Sequence, residues 1–182
     1  MKYSTNIAYI GYYFTETDYF HADNIQKPAI AKGKSYEVNE MRTYIGKKSR
    51  LRWIVYALDR ESKTVVSFNV GWRTNKTLKR VIQSLELSGA RRIYTDKLKN
   101  HRYLIVKKLH NTLVHSTNHI ERYNLSIRTH LKRLNRKTIC FSRSLVIFMA
   151  VLRIYFWSWT NFDLFCAQGN RSNISSNQSY LY

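Results

Sequence analysis

The sequence predicts an α/β fold in which an antiparallel three-strand meander is followed by a helix, a further strand and long helices. Three runs rich in apolar and β-branched residues lie close together in residues 36–70, and turn residues separate them. Apolar residues at helical spacing begin after residue 74. This order does not fit the regular alternation of a doubly wound dinucleotide-binding fold.

The meander comes first. Its strands are predicted at residues 36–45, 51–58 and 64–70. Gly-Lys-Lys-Ser at 46–49 and Asp-Arg-Glu-Ser at 59–62 are turn-forming sequences. Because both connections are short, neighbouring strands are expected to pair antiparallel.

A helix is predicted to follow the meander. Thr74 is a typical N-cap residue, and Gly89 is typical of a helix end. A short strand is expected next, at 92–95. The helix should bury one apolar stripe, formed by Leu78, Val81, Ile82 and Leu85.

The C-terminal half is predicted to hold a short strand at 111–114 and two helices. The first helix is capped by Thr117 or Asn118 and runs to about Leu134. The second, at 144–159, is apolar nearly all round and is therefore expected to be buried. The core face of the first helix is Ile120, Ile127, Leu131 and Leu134.

The charge of the chain indicates its class of partner. Lysine and arginine number 31 against 11 acidic residues, a formal net charge of +20. Hydrophobic residues make up 44%, which is typical of a folded chain. A folded, strongly basic chain favours a nucleic-acid partner. A ribosomal-type RNA binder and simple solubility are the alternatives.

The cysteine content and the apolar segments favour a soluble protein in a reducing, cytoplasmic setting. Cys140 and Cys166 are too few for a disulfide framework or a Cys-rich zinc site. The N-terminus does not resemble a signal peptide. The most apolar run, 145–159, is shorter than a membrane span and contains Arg153.

Acidic residues are rare, so their positions are informative. Asp96 follows a predicted strand directly, where α/β sheets place their ligand sites, and it also suits a turn or a helix cap. Glu121 lies in the first turn of a predicted helix, where with Asn118 it also fits a capping box. His115 and His119 are four residues apart, but no HExxH or PCxxC motif supports a zinc site.

Four segments resemble the transposases of the insertion-sequence-one family, and the resemblance extends from about residue 30 to 157. The most specific is TNHIERYNLSIRTHLKRLNRKTICFSRS, at 117–144; the others are YEVNEMRTYIG (36–46), VVSFNVGWRTNKTL (65–78) and IYTDKLKNHRYLI (93–105). The resemblance implies a ribonuclease H-like mixed sheet. It also implies two divalent metals, Mg²⁺ or Mn²⁺, held by an Asp–Asp–Glu triad for cleavage and strand transfer of DNA.

The resemblance assigns the catalytic positions one by one. The Glu of the family's IER motif falls on Glu121, and the Asp of its TD motif falls on Asp96, so both are expected to bind metal. The first Asp of the family falls on Asn39, a neutral amide. Glu37 shares a strand face with Asn39, but its offset of about 7 Å argues against replacement. This copy is therefore predicted to be impaired.

The expected partner is double-stranded DNA, both transposon ends and target, with a homo-oligomer and no membrane. Arg128 lies seven residues beyond Glu121, on the same helix face. The chain is expected to be associated with the nucleoid of a bacterial-type cell. The residues predicted to contact DNA are Arg128, Lys132, Arg133, Arg136 and Lys137.

The predicted organisation is a poorly defined segment at 1–30, a catalytic core at 31–160 and a polar, disordered tail at 161–182. No CxxC occurs in residues 1–30, so the zinc-finger and helix-turn-helix region that usually precedes this core is expected to be missing. Three hypotheses stay open: a transposase core, a DNA-binding remnant or regulator that does not cut, and a basic RNA-binding protein.

Overall fold

A computed structural model describes residues 22–96, 99–112, 117–134 and 142–158. Most of the predicted N-terminal segment and the whole predicted tail lie outside these residues. The elements are β1 (Ser35–Ile45), β2 (Lys47–Asp59), β3 (Val65–Gly71), α1 (Asn75–Leu87), β4 (Arg92–Thr95), α2 (Lys99–Leu104), β5 (His110–Asn111), α3 (Asn118–His130), a 3₁₀ turn (Lys132–Leu134), α4 (Leu145–Arg153) and a π-helical turn (Ile154–Ser158).

The five strands form one mixed sheet in the order β3-β2-β1-β4-β5. β1, β2 and β3 pair antiparallel, whereas β4 is parallel to β1 and β5 is parallel to β4. The predicted fold class, a ribonuclease H-like mixed sheet with an antiparallel meander and flanking helices, is confirmed. The strand predicted at 92–95 is confirmed as β4, which lies beside β1.

The first turn of the meander is tighter than predicted. β2 begins at Lys47, so the predicted turn at 46–49 is wrong and Gly46 alone separates the strands. Gly46 has a φ of 74°, a left-handed conformation that glycine adopts without strain and that reverses the chain quickly. Its N–H donates to the carbonyl of Ser142 at 2.8 Å.

Helix α1 confirms its prediction. Thr74 is the N-cap residue, and its side chain accepts a hydrogen bond from the Thr77 N–H. The helix ends at Leu87, and Gly89 follows with a φ of 72°. The predicted stripe is buried in full: Leu78, Val81, Ile82 and Leu85.

Helix α3 is shorter than predicted. It ends at His130 instead of about Leu134, because Leu131 adopts an extended conformation and a 3₁₀ turn follows. The predicted stripe is nevertheless confirmed, since the break keeps Leu131 and Leu134 in the core with Ile120 and Ile127. Of the short strand predicted at 111–114, Asn111 is confirmed as the second residue of β5, Thr112 is not in a strand, and residues 113–116 lie outside the part of the chain described.

The predicted helix at 144–159 is found as α4 and the π-helical turn, with Ser144 as N-cap. The expectation that it is buried all round is wrong for its first turn, where Leu145 and Val146 are 36% and 54% exposed. The buried residues of this segment begin at Phe148, which packs in the core with residues of the sheet. None of the described helices is long and apolar enough to cross a membrane.

The sheet separates two apolar cores, as the period-two alternation of its strands requires. Val38 and Val55 pack on one face, against Leu78 of α1. Met41 and Tyr56 face the other side, where α3 and α4 pack. The chain therefore has three layers, and α3 is held on the same face as Asn39.

Candidate active site

Asn39 and Asp96 occupy corresponding positions on neighbouring parallel strands. The last pair in the β1–β4 ladder is Val38 with Thr95, and Asn39 and Asp96 come directly after it. Neighbouring strands are about 4.8 Å apart. The register therefore places Asn39 beside Asp96 where β4 ends, the edge at which α/β sheets bind ligands.

Glu37 connects this strand to α3. Its side chain is fully buried, and Oε2 accepts a hydrogen bond from the Ile120 N–H at 2.9 Å. Oε1 lies 2.7 Å from Nδ1 of His119. Glu121 is the next residue of the helix, so the contact fixes the turn that carries Glu121 close to the strand that carries Asn39.

Glu121 is exposed in the first turn of α3. The N-cap residue is Thr117, so the predicted capping box starting at Asn118 is wrong. The Thr117 hydroxyl caps no backbone N–H but donates to Oε1 of Glu121 at 3.0 Å. Glu121 lines a cleft of about 500 Å³ together with Arg128.

Asp96 contacts a buried histidine. His101 of α2 is fully buried, with Nδ1 3.1 Å from Asp96 Oδ1 and Nε2 3.5 Å from Glu40 Oε1. Neither contact has the geometry of a hydrogen bond, so both are ion pairs. Burial alone would lower the pKa of His101, but the two carboxylates outweigh it and raise the pKa to about 9. His101 is therefore a cation at neutral pH and attracts Asp96.

Asn39 does not suit the metal-bridging position. Its Oδ1, which accepts a hydrogen bond from the backbone N–H of Glu40 at 2.7 Å, belongs to a neutral amide and brings none of the negative charge of a carboxylate. Asp96 and Glu121 offer the carboxylate oxygens that Mg²⁺ prefers. Among the described residues, however, no group of three or more His, Cys, Asp or Glu side chains is placed to hold a metal ion. The residues present do not fit a two-metal site.

Glu37 does not replace the missing carboxylate. In addition to Ile120 and His119, it pairs with Nε of Arg60 at 3.0 Å. Both of its oxygens are therefore committed to the fold, which agrees with the sequence argument against it. Glu40, the neighbour of Asn39, points to the opposite face and pairs with His101 of α2.

The predicted DNA-binding residues are only partly described. Arg128 lines two clefts, one with Glu121 and one with Arg133. Nη1 of Arg133 donates to the Ser142 hydroxyl at 2.9 Å, and Lys132 is exposed beside it. Arg136 and Lys137 lie outside the described residues, as does His115 of the zinc alternative.

Sequence reasoning missed His101 and Arg60, the cations that hold Asp96 and Glu37. Both are single basic residues in a chain with 31 lysines and arginines, so nothing local distinguishes them. The one available signal was the scarcity of acids, since a buried carboxylate such as Glu37 or Glu40 requires a partner.

The family follows from comparison with known sequences. The profile of the IS1 transposase family matches residues 34–160. The Escherichia coli (strain K12) insertion element IS1 4 protein InsB is 40% identical over 126 residues, which cover 65% of this chain and 71% of that protein. InsB of the Shigella flexneri element IS1 is 39% identical, over 65% of this chain and 91% of that protein. The chain belongs to the IS1 transposase family.

Two solved structures are similar to the chain at low sequence identity. One is a chain of the simian T-cell lymphotropic virus intasome in complex with PP2A regulatory subunit B56 gamma, with 16% identity and a TM-score of 0.46, covering 72% of this chain and 53% of that one. The other is the HTLV-2 integrase catalytic core domain in complex with magnesium, with 15% identity and a TM-score of 0.43, covering 70% and 88%.

Proposed function

We propose that the chain is the catalytic core of a DNA transposase, a phosphodiester-cleaving and strand-transferring enzyme, and that Asn39 impairs this copy. The observation that carries the proposal is the placement of the motif residues. Asn39 and Asp96 follow the same pair of the β1–β4 ladder, and Glu37 ties the turn that carries Glu121 to β1. These contacts support the proposal that the three motifs, far apart in sequence, form one site at this end of the sheet.

In this proposal Asp96 and Glu121 are the remaining metal-binding residues, for Mg²⁺ or Mn²⁺. Asp96 is held by His101, and Glu121 by Thr117. Asn39 contributes no charge, and its amide oxygen already accepts one hydrogen bond, from the Glu40 N–H. With one carboxylate of three missing, cutting in magnesium is expected to be undetectable. Mn²⁺, which accepts the same ligands, is expected to recover a trace.

Double-stranded DNA is the proposed partner. The net charge of +20 supplies the attraction to phosphates, and Arg128, Lys132 and Arg133 lie at the end of α3 that leads away from Glu121. Arg136 and Lys137 are also proposed to contact the DNA. We also propose that the chain assembles into a homo-oligomer.

The second candidate is a DNA-binding regulator or remnant that does not cut. Asn39 favours it, since a neutral amide stands at the position where the resemblance expects the first catalytic carboxylate. Both candidates predict binding to DNA, but only the first predicts that restoring a carboxylate restores chemistry.

The test compares nicking of supercoiled plasmid by the unmodified chain and by Asn39→Asp, in Mg²⁺ and in Mn²⁺. Asn75→Asp is the matched control, because it adds the same charge at an exposed position at the start of α1. Nicking by Asn39→Asp alone supports an impaired transposase core. Binding without nicking by any variant favours the regulator. Efficient magnesium-dependent nicking by the unmodified chain contradicts the impairment.

A further inference from the structure

A second cleft lies next to the candidate active site. β4 pairs with β1 only along Ser35–Val38, while β1 continues to Ile45. Beyond that pairing, β1 and β2 contribute side chains to a cleft of about 350 Å³ that is closed by residues at the end of α3 and after it. The side chains that carry the argument are Glu40, Arg42, Tyr44, Trp53, Arg128 and Arg133.

The lining of this cleft is positive. Among the described residues that line it, three are arginines and one, Glu40, is acidic. Glu40 is already paired on both sides, with Oε2 3.2 Å from Arg73 Nε and Oε1 3.5 Å from His101 Nε2. Guanidinium groups present several donors in a plane, which suits the oxygens of a phosphate.

The cleft is also aromatic. The guanidinium of Arg73 lies 4.4 Å from the ring centroid of Trp53, and that of Arg42 lies 5.9 Å from the ring of Tyr44. Rings interleaved with arginines are typical of surfaces that stack nucleic-acid bases. A volume of about 350 Å³ is at the small end of the range for ligand pockets, about 300–1,000 Å³, so the cleft suits one nucleotide and excludes a duplex.

Arg128 connects this cleft to the site. It also lines the cleft of about 500 Å³ that contains Glu121, so the two clefts share a wall. A DNA strand bound in either cleft therefore lies against Arg128.

We propose that this cleft binds one unpaired nucleotide of the DNA strand next to the phosphate at Glu121. Arg42, Arg128 and Arg133 contact its phosphate, and the base packs against Trp53 and Tyr44. The base has to be unpaired, because a base within a duplex has both faces covered by its neighbours. The inference rests on the proposed function, since it takes DNA to be the substrate.

The experiment measures binding of the full chain to two DNAs of equal nucleotide number, in EDTA at fixed salt. One is a blunt duplex, and the other carries a short single-stranded overhang with 2-aminopurine at its first unpaired position. We expect an overhang preference of about 5- to 150-fold, the effect of stacking one base on an aromatic side chain. We also expect the 2-aminopurine fluorescence to change on binding.

Trp53→Leu is expected to abolish the preference and the fluorescence change while blunt-duplex affinity stays within about twofold. Trp72→Leu is the matched control, because Trp72 is 58% exposed and does not line the cleft. If Trp53→Leu fails to fold, Arg42→Gln is compared with Arg92→Gln, a change at an exposed arginine of β4. Arg42→Gln should lower the preference and Arg92→Gln should not.

The outcomes separate the two proposals. Equal binding of both DNAs overturns the nucleotide cleft and leaves the proposed function standing. The nucleotide-binding proposal is also overturned if the preference for the overhang survives Trp53→Leu. Where Trp53→Leu does not fold, survival of the preference in Arg42→Gln has the same meaning. Loss of the preference in the control Trp72→Leu overturns the proposal as well. Failure to bind either DNA overturns the proposed function itself.

Discussion

The carboxylate of Glu37 on β1 accepts a hydrogen bond from the backbone N–H of Ile120, the third residue of α3, at 2.9 Å. The first N–H groups of a helix have no partner within the helix, and a carboxylate there is also favoured by the helix dipole. Because Glu37 is fully buried, it also needs its other partners, the guanidinium of Arg60 and the ring of His119. One side chain thus fixes where α3 begins relative to β1.

We expect Glu37→Gln to destabilise the fold. The amide keeps the size of the side chain but loses the charge that pairs with Arg60, and one buried donor is left poorly satisfied. Such a loss costs about 1–3 kcal/mol in the free energy of unfolding, which urea denaturation measures. Glu61→Gln is the control, since Glu61 is largely exposed and pairs with Lys34 at the surface. A midpoint for Glu37→Gln equal to that of the control would contradict this role.

Tyr56 gives a second, pH-dependent contribution to the same junction. Its hydroxyl donates to Oδ1 of Asn124 at 2.7 Å, and burial raises its pKa well above the usual value of 10.0. Above pH 10.0 the unfolded chain therefore releases this proton while the folded chain retains it. The contribution to stability is complete below pH 10.0 and is lost as the pH rises towards the folded-state pKa.

The measurement is the unfolding free energy of the unmodified chain and of Tyr56→Phe between about pH 9 and 11.5, the range in which tyrosine titrates. We expect the variant to lose stability less steeply as the pH rises. Tyr103→Phe is the control. Tyr103 is 86% exposed, so this variant removes a surface hydroxyl and keeps the buried hydroxyl of Tyr56. Parallel curves for all three proteins would show that Tyr56 does not couple to folding.

Local sequence patterns predicted the meander and α1 because several signals agreed there. In α1 the cap Thr74, the stripe ending at Leu85 and the stop at Gly89 all specify the same helix. The length of α3 was not predictable in this way. Nothing in the sequence around Leu131 opposes a helix, and the break is set by packing against the rest of the core.

The site shows the same division. Asp96 and Glu121 were predicted from the resemblance to the family, because their rarity and their positions at the ends of elements also fit a turn and a helix cap. Their supports did not stand out, because His101 lies between Glu40 of β1 and Asp96 only after the chain has folded. Likewise the exposed first turn of α4 was missed, since a helix that is apolar nearly all round gives no indication of which side meets solvent.

DNA binding is expected to be strong, to depend little on sequence and to fall steeply with salt. Each lysine or arginine that neutralises a phosphate releases counterions, so affinity should fall by several powers of ten between about 50 and 200 mM salt. Lys132→Gln should reduce the slope of log affinity against log salt by about 1. Lys79→Gln, at an exposed position of α1, should leave the slope unchanged. An affinity that hardly responds to salt would contradict the basic-surface argument.

Asn39→Asp is expected to complete a divalent-metal site with Asp96 and Glu121. The new carboxylate would lie beside Asp96 on the neighbouring strand and would bring the charge that an amide cannot supply. Changes around a metal site that spare the ligands alter affinity by about 10–100-fold, so the gain in Mn²⁺ affinity should reach at least about 10-fold. Calorimetry measures it without any requirement for DNA recognition. Adding Glu121→Gln to this variant should cancel the gain, because it removes a carboxylate of the same site, whereas adding Glu61→Gln should not. An unchanged Mn²⁺ affinity in Asn39→Asp would mean that Asn39, Asp96 and Glu121 do not form one site.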